Sequence, residues 1–161
     1  MAVERIGFEF EVYNSINDLL KEEDAELLQK AKQTALNAYA PYSNFFVGAA
    51  AILNNNEIIT GTNQENASYP VGTCAERVLL GVAATIFPNI PLKTMAISYS
   101  NKNGNSNHPI SPCGMCRQYL LEYEQRVNQP IRLILGGQDG KIIIIKSVSE
   151  LLPLNFSAND F

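Results

Sequence analysis

All three cysteines of this chain fall in two short segments, residues 73–77 (TCAER) and 111–118 (SPCGMCRQ). Cys74, Cys113 and Cys116 supply three thiolates, and Glu76 adds a carboxylate two residues after the first of them. A zinc ion held by three protein ligands keeps one tetrahedral position open, which is typical of catalytic rather than structural zinc sites. The pattern therefore predicts a catalytic Zn²⁺ site with three cysteine ligands and Glu76 as its acid–base group.

Three thiolates on Zn²⁺ leave the site with one net negative charge, which reduces the acidifying power of the metal. Two arginines, Arg77 and Arg117, follow the ligand segments closely. A guanidinium that donates hydrogen bonds to thiolate sulfur would offset the charge. Of the two, Arg77 is the preferred candidate.

Two less specific interpretations use the same residues. In the first, Thr73 and Glu76 form a capping box, with Glu76 accepting a hydrogen bond from the Thr73 backbone at a helix start. In the second, Cys113 and Cys116 are a redox pair activated at a helix N-terminus. The redox interpretation leaves Cys74 without a role.

A closed structural zinc site is the third alternative. His108 is the only histidine and lies five residues before Cys113, so it could complete a set of three cysteines and one histidine. Pro109 and Pro112 stiffen the intervening loop, which disfavours a return of the ring to the metal. An exposed His108 is the preferred interpretation.

The size and composition of the chain predict one globular domain over residues 1–161, with residues 1–23 as an N-terminal extension. No apolar run approaches the roughly 18 residues of a membrane span. Residues 1–24 contain seven acidic and two basic residues and lack the apolar core of a signal peptide, and this stretch is predicted to be a solvated arm. An odd number of cysteines suits a reducing compartment, so we expect a cytoplasmic protein without a membrane partner.

The charge of the chain argues against a nucleic acid partner. Its formal net charge is −4, and no two Lys or Arg residues are adjacent. Binding to a phosphate backbone relies on clustered Lys and Arg that release counterions. A small uncharged ligand fits this composition better.

Hydrophobic periodicity places the two cysteine segments at the starts of two helices, 73–87 and 113–126. At a helix N-terminus, the macrodipole and free N–H groups stabilise thiolates. Strands alternate with helices after an initial hairpin, which predicts a three-layer α/β/α sandwich with a mixed sheet of about five strands. The other predicted elements are a helix at 24–40, strands at 46–53, 57–62, 94–100, 131–135 and 141–145, and a short helix from 147.

Further motifs give residues 25–156 a resemblance to a known family. A cysteine, a glutamate two residues on and a later Pro-Cys-x-x-Cys form the signature of zinc nucleobase deaminases. Together with the other motifs, it makes the chain similar to the cytidine deaminase family, in its small, homotetrameric three-cysteine branch. Those other motifs are 40–45 (APYSNF), 47–50 (VGAA), 61–70 (GTNQENASYP) and 150–153 (ELLP) with Phe156.

This resemblance implies roles for residues outside the zinc motifs. It implies that Asn63 and Glu65 hydrogen-bond the ribose of a nucleoside and that Phe45 packs beside the pyrimidine. It also implies that Arg77 bonds to the zinc thiolates. Three further residues would reach the active sites of neighbouring subunits: Ala67, Tyr69 and Phe156.

The implied reaction is hydrolytic deamination of cytidine and 2′-deoxycytidine, with zinc activating water and Glu76 moving protons. No organic cofactor is expected. Two alternatives stay open: a deaminase of another nucleoside-like substrate, of the blasticidin S type, and a zinc-stabilised binding module without catalysis. The segment 63–65 and the Leu-Leu-Pro sequence at 151–153 favour cytidine.

Overall fold

The computed structural model describes residues 3–5, 7–19 and 21–161, apart from the side chain of Asn159. Within that part of the chain, no helix combines the length and the apolar character needed to cross a membrane. Four short 3₁₀ turns complete the structure, at 16–18, 69–71, 148–151 and 158–160. The main elements are β1 Glu11–Tyr13, α1 Glu22–Ala35, β2 Phe45–Leu53, β3 Ile58–Thr62, α2 Ala75–Ile86, β4 Leu92–Asn101, α3 Gly114–Val127, β5 Arg132–Gly136 and β6 Ile142–Ile145.

The strands form one mixed sheet in the order β1-β6-β5-β4-β2-β3. β4 and β5 are parallel, and the other neighbours are antiparallel. The expected α/β/α sandwich is confirmed, with six strands rather than about five. The additional strand is β1, in which Val12 lies opposite Ile143 of β6.

β1 also corrects the prediction that the acidic N-terminal stretch is only a solvated arm. Residues 11–13 are paired to the sheet, whereas Met1, Ala2, Ile6 and Leu20 of the same stretch lie outside the described residues. A strand of three residues is too short to show a recognisable alternation of apolar and polar residues in the sequence. Its partner lies about 130 residues further along the chain, so local sequence gives no sign of the pairing.

Each face of the sheet carries its own hydrophobic core. On one face, α2 and α3 pack through Leu79, Leu80 and Leu120. On the other face, α1 packs through Leu28 and Ala31. Successive side chains along each strand point alternately into one core and the other, because a β-strand places neighbouring side chains on opposite faces of the sheet.

Two glycines let the helices lie directly against the strands. A Cβ at Gly48 of β2 would collide with the backbone oxygen of Ala31 in α1. A Cβ at Gly61 of β3 would lie 2.5 Å from the backbone oxygen of Ala75, the first residue of α2. The absence of a side chain at Gly61 therefore sets the distance between β3 and the start of α2.

Helix α1 ends at Ala35, five residues before the predicted end. The chain leaves the helix because Tyr39 pairs with the segment that follows β3. Its N–H donates to the oxygen of Asn63 at 3.1 Å, and its oxygen accepts from the N–H of Glu65 at 2.8 Å. This tertiary pairing replaces the last helical turn that Pro41 alone would have permitted.

The α1 face contains a buried ion pair. Asp24 in the first turn of α1 is 6% exposed, and both of its oxygens accept hydrogen bonds from the guanidinium of Arg132 in β5. The two distances are 2.6 Å each. This fork geometry satisfies the buried carboxylate completely.

Candidate active site and metal centre

The three cysteines meet at one point on the α2/α3 face of the sheet. Their Sγ atoms all lie within 4.8 Å of one another, and those of Cys74 and Cys113 are 3.9 Å apart. These separations are too long for a disulfide, whose sulfurs are about 2.05 Å apart. Three converging thiol sulfurs are the soft ligand set that zinc prefers. The arrangement fits a zinc ion held by Cys74, Cys113 and Cys116.

Two helix N-termini position these thiols. Cys74 is the N-cap residue of α2 and Cys113 is the N-cap residue of α3, whereas Cys116 lies in the first turn of α3. Cys74 and Cys113 thus precede their helices by one residue instead of lying in the first turns as predicted. The positive ends of both helices still point toward the sulfurs and favour thiolates.

The thiols of the cluster are electrostatically unequal. A hydrogen bond from Cys116 lowers the pKa of Cys74 to about 6, against opposing effects of burial and of Glu76, and the positive charge of Arg77 adds to the lowering. The same hydrogen bond and burial raise the pKa of Cys116. Of these two thiols, Cys74 is therefore the one that is more readily ionised and available to a metal at neutral pH.

Glu76 lies in the first turn of α2, beside the cysteines, and is only 5% exposed. Burial raises the pKa of its carboxyl group, and hydrogen bonds from its own backbone N–H and from Cys116 oppose this only in part. A carboxyl group whose pKa is raised toward neutrality can both accept and donate a proton.

The structure excludes the capping-box interpretation of Glu76. The backbone N–H of Thr73 donates to the oxygen of Gln64 at 2.9 Å, so it is already paired. The N-cap position of α2 is occupied by Cys74, not Thr73. Glu76 is therefore not required for the start of the helix.

A cavity of about 400 Å³ opens in front of the cysteines. Its volume lies in the range typical of small-molecule sites. Six of the site residues predicted from the sequence line it, namely Phe45, Asn63, Glu65, Cys74, Glu76 and Cys113. The residues that line it are Ser43, Phe45, Val47, Asn63, Glu65, Cys74, Ala75, Glu76, Ile110, Ser111 and Cys113.

Asn63 holds the end of β2 in place. Its Oδ1 accepts from the N–H of Val47 at 2.7 Å, and its Nδ2 donates to the oxygen of Phe45 at 2.9 Å. An amide has two acceptor lone pairs and two donor hydrogens, so one of each stays available after these bonds. Asn63 can thus orient Phe45 and bond a ligand at once.

Glu65 is oriented by the segment that follows α1. Its Oε2 accepts from the backbone N–H groups of Tyr42 at 2.8 Å and Ser43 at 3.3 Å. A hydrogen bond from the Ser43 side chain is the main cause that lowers the pKa of Glu65, and the two backbone bonds contribute as well. Glu65 is accordingly an ionised acceptor at neutral pH.

The ring of Phe45 stacks on Tyr99, with centroids 4.8 Å apart and planes 20° apart. Tyr99 in turn contacts His108, whose Nδ1 lies 3.1 Å from the Tyr99 hydroxyl oxygen. His108 is exposed, as expected, and within the described residues the metal-type cluster consists of the three cysteines only. The alternative of a closed site with His108 as fourth ligand has no support in this arrangement.

Ala67, Tyr69 and Phe156 do not line the cavity of their own chain. All three are exposed, Tyr69 to 77% and Phe156 to 64%. Arg77 also lies outside the cavity wall, although its charge acts on Cys74.

Arg117 has a different position from the one a charge-compensating residue would need. Its Nε donates to the oxygen of Pro112 at 2.9 Å, and its Nη1 donates to the oxygen of Leu151 at 3.1 Å. These bonds join the segment before Cys113 to the turn at 148–151. Between the two arginines, only Arg77 is among the causes that lower the pKa of Cys74.

Five residues of the cavity wall were not predicted as site residues. Ala75, Ile110 and Ser111 adjoin the cysteine segments, so their position next to the ligands was the available signal. The other two, Ser43 and Val47, lie within motifs of the resemblance, but sequence alone does not bring Ser43 to Glu65.

Known proteins match both the sequence and the fold of this chain. The family described as "Cytidine and deoxycytidylate deaminase zinc-binding region" matches residues 21–129, which is more than half of the chain. The chain therefore belongs to the cytidine and deoxycytidylate deaminase family.

Particular relatives are cytidine deaminases. The chain is 38% identical over 134 residues to the cytidine deaminase of Halalkalibacterium halodurans, an alignment that covers 83% of this chain and 94% of that one. It is 37% identical over 133 residues to the cytidine deaminase of Mycobacterium tuberculosis, with coverage of 81% and 86%.

The fold also matches a solved structure. The crystal structure of cytidine deaminase from Burkholderia pseudomallei superposes with a TM-score of 0.71 at 34% sequence identity. The match covers 85% of this chain and 100% of that chain. Sequence and structure thus identify the same family.

Proposed function

We propose that this chain catalyses the zinc-dependent hydrolytic deamination of cytidine and 2′-deoxycytidine, giving uridine and 2′-deoxyuridine plus ammonia. The observation that carries this proposal is the position of Glu76. It is a buried carboxyl group of raised pKa, beside three converging thiols, in the wall of a cavity large enough for a nucleoside. The named activity of the relatives supports the same reaction.

Cys74, Cys113 and Cys116 would hold the zinc ion. When bound, zinc supplies Lewis acidity and lowers the pKa of a coordinated water toward roughly 7. Arg77 offsets part of the negative charge of the three thiolates, which keeps that acidity from being weakened. The two helix N-termini add positive potential at the same place.

Glu76 moves the protons of the reaction. It accepts one from the attacking water and donates one to the ring nitrogen beside C4, which makes that carbon electrophilic. It later carries a proton to the departing ammonia. Each transfer needs a group that is neither strongly acidic nor strongly basic at neutral pH, and the raised pKa of Glu76 meets that need.

Asn63, Glu65 and Phe45 position the nucleoside. The free hydrogen-bonding capacity of Asn63 and the ionised carboxylate of Glu65 suit the hydroxyl groups of a ribose, because a buried hydroxyl without a partner costs about 1–3 kcal/mol. The ring of Phe45, held flat against Tyr99, offers an edge or face to the pyrimidine.

An ultraviolet assay of purified, zinc-loaded protein with cytidine tests the proposal. The absorbance change of deamination should appear with cytidine and with 2′-deoxycytidine and should be absent with blasticidin S. Metal-free protein is the matched control. Activity on blasticidin S alone would assign a different substrate, and a zinc-loaded protein inactive on all three would favour a binding module.

We also propose a homotetramer in which neighbouring subunits complete each active site through Ala67, Tyr69 and Phe156. Support comes from the exposure of these residues and from the apolar C-terminal segment, where Leu154 is 96% and Phe161 89% exposed. Such a cluster is rarely left uncovered in a monomer. Gln118 Nε2 donates to the backbone oxygen of Phe156 at 2.9 Å and fixes the base of this segment.

Hybrid oligomers test the shared site. Glu76→Gln and Phe156→Ala chains, each inactive as a homo-oligomer, should recover part of the activity after subunit exchange, because some sites then combine an intact Glu76 with a partner's intact Phe156. Native mass spectrometry confirms the exchange. Exchange without recovery would show that Phe156 acts within its own chain.

We propose the cytoplasm as the location and pyrimidine salvage as the role of the reaction. Three free thiols that must stay reduced to bind metal support a reducing compartment. Fractionation of cells with an antibody against the chain tests the location. Loss of growth on cytidine as pyrimidine source, after deletion of its gene, tests the role.

A further inference from the structure

A second, smaller cavity lies behind the wall of the proposed active site. Its volume is about 90 Å³. Two aromatic residues of the N-terminal extension, Phe8 and Phe10, line its outer side, and each is about half exposed. The rest of its lining is Ser111, Leu135, Ile143, Ile145, Glu150 and Leu151. The N-terminal extension thus reaches the vicinity of the cysteine segment.

Strand β1 fixes the place of the two phenylalanines. Immediately after Phe10, residues 11–13 pair with β6, and Val12 lies opposite Ile143, which lines the rear cavity. Tyr13 packs with the α1 core on the opposite face. Alternation along the strand therefore directs this part of the extension to both faces of the sheet and anchors it there.

Ser111 belongs to the walls of both cavities. It precedes Pro112 and the zinc-ligand candidate Cys113, and Pro112 is buried. The segment 111–113 is consequently the partition between the proposed substrate cavity and the rear cavity. A displacement of this partition would move both a substrate contact and a metal ligand.

Arg117 holds the partition from the side of α3. It bonds to the backbone oxygen of Pro112 in the partition and to that of Leu151, which lines the rear cavity. The guanidinium of Arg117 therefore holds the partition on one side, and the residues that line the rear cavity border it on the other. Phe8 and Phe10 are the residues of that lining that come from the N-terminal extension.

The rear cavity also contains a buried carboxylate oxygen, Oε2 of Glu150, that has no hydrogen-bond partner among the described residues. A polar atom of this kind favours the entry of water, since an unpaired acceptor is costly to bury. Removal of the two rings would open the cavity to solvent and loosen the partition.

We propose that Phe8 and Phe10 are positioning residues, which hold segment 111–113 in place from behind and so make the N-terminal extension a functional part of the active site. The proposal deepens the deaminase function and rests on it. The Burkholderia pseudomallei structure is matched over its whole length by 85% of this chain, so this chain has residues without a counterpart in that structure.

The test compares Phe8→Ala/Phe10→Ala with Phe8→Leu/Phe10→Leu and with Val3→Ala, an exposed apolar residue of the same extension outside the cavity lining. Kinetics with cytidine are expressed per folded, zinc-loaded chain. We expect the alanine pair to lower kcat/KM about tenfold, within the range that a displaced site residue causes. The leucine pair should keep most of the wild-type kcat/KM, and Val3→Ala should have the wild-type kcat/KM.

Amide hydrogen exchange of residues 111–117 gives a readout that does not depend on activity. It should become faster in the alanine pair only. Unchanged exchange, or an unchanged kcat/KM per folded and zinc-loaded chain, would overturn the positioning role. A wild-type protein without cytidine deaminase activity would overturn the proposed function instead, while the exchange experiment would still decide the role of the two phenylalanines.

Discussion

Two carboxylates of this chain are buried to the same extent, one on each face of the sheet. Asp24 on the α1 face is 6% exposed and Glu76 on the α2/α3 face is 5% exposed. Arg132 forms two 2.6 Å hydrogen bonds to Asp24, whereas in the described part of the chain no cation forms an ion pair with Glu76.

The charge partner, not the extent of burial, separates a carboxylate that holds elements together from a carboxyl group that is available for proton transfer. A buried carboxylate that forms a bidentate pair with an arginine holds elements together. A buried carboxyl group without a cation has a raised pKa and is ready to exchange protons. Mutations at the two positions should therefore act on different quantities.

The largest expected effect is on turnover in Glu76→Gln. The amide cannot transfer protons, so kcat should fall by at least ~10²–10⁴, while about one zinc per chain stays bound because no ligand is removed. Steady-state kinetics and metal analysis measure both. Near-normal turnover would show that Glu76 does not move protons and would remove the proposed difference between Glu76 and Asp24.

The second effect is on stability in Asp24→Asn. Breaking a buried pair leaves Arg132 without its charge partner, and we expect the free energy of unfolding to fall by about 3 kcal/mol. Activity per folded chain should be unchanged. Chemical denaturation of metal-loaded protein measures the loss.

Glu23→Gln is the matched control for that variant, since Glu23 lies next to Asp24 in sequence. Its ion pair with Lys93 is 3.9 Å long and largely solvent-exposed. Exposed pairs contribute about 0–1 kcal/mol, so little stability should be lost. Equal losses in the two variants would remove the distinction between a buried and an exposed partner.

A smaller effect is expected on the pH dependence of zinc binding in Arg77→Gln. Arg77 lowers the pKa of Cys74, so Arg77→Gln should raise that pKa and let protons compete with zinc up to higher pH. The pH of half-maximal zinc occupancy should rise by less than about one unit, because the Arg77 charge is the weakest of the effects on the pKa of Cys74.

Arg126→Gln, near the far end of α3, serves as the control for Arg77→Gln and should leave the zinc profile in place. The acidic limb of the kcat/KM profile should move in the same direction as the zinc profile. A shift toward lower pH in Arg77→Gln would contradict charge compensation by this arginine.

The smallest effect is expected in His108→Ala. His108 contacts Tyr99 outside the cysteine cluster, so zinc content and kcat/KM should stay within about twofold of the wild type. Marked loss of zinc would instead show a fourth protein ligand and a closed site.

Most elements around the cysteines could be predicted because their signals are local. The starts of α2 and α3 follow from helical periodicity after a polar or proline-containing loop, and β2, β4, β5 and β6 are apolar runs of strand length. The candidate site could be predicted for the same reason, since the cysteines lie in two short segments and Glu76 lies within one of them.

The remaining features depend on contacts that sequence does not record. β1 exists because it pairs with β6, and α1 ends early because Tyr39 pairs with residues 63 and 65. The same pairing brings Tyr42 and Ser43 to Glu65 and builds one wall of the cavity. Long-range pairing of this kind overrides helix propensity and leaves no periodic pattern.

Gly61 lies so close to the backbone of α2 that a substitution there would disturb the site, although glycine carries no reactive group. Even the methyl group of an alanine there would lie 2.5 Å from the backbone oxygen of Ala75, which is the residue between Cys74 and Glu76 in sequence. It would push the start of α2 away from the sheet. Every substitution at this position would shift Cys74 and Glu76 together. A screen of mutants for lost function should therefore find position 61 as intolerant as position 74, although glycine carries no side chain.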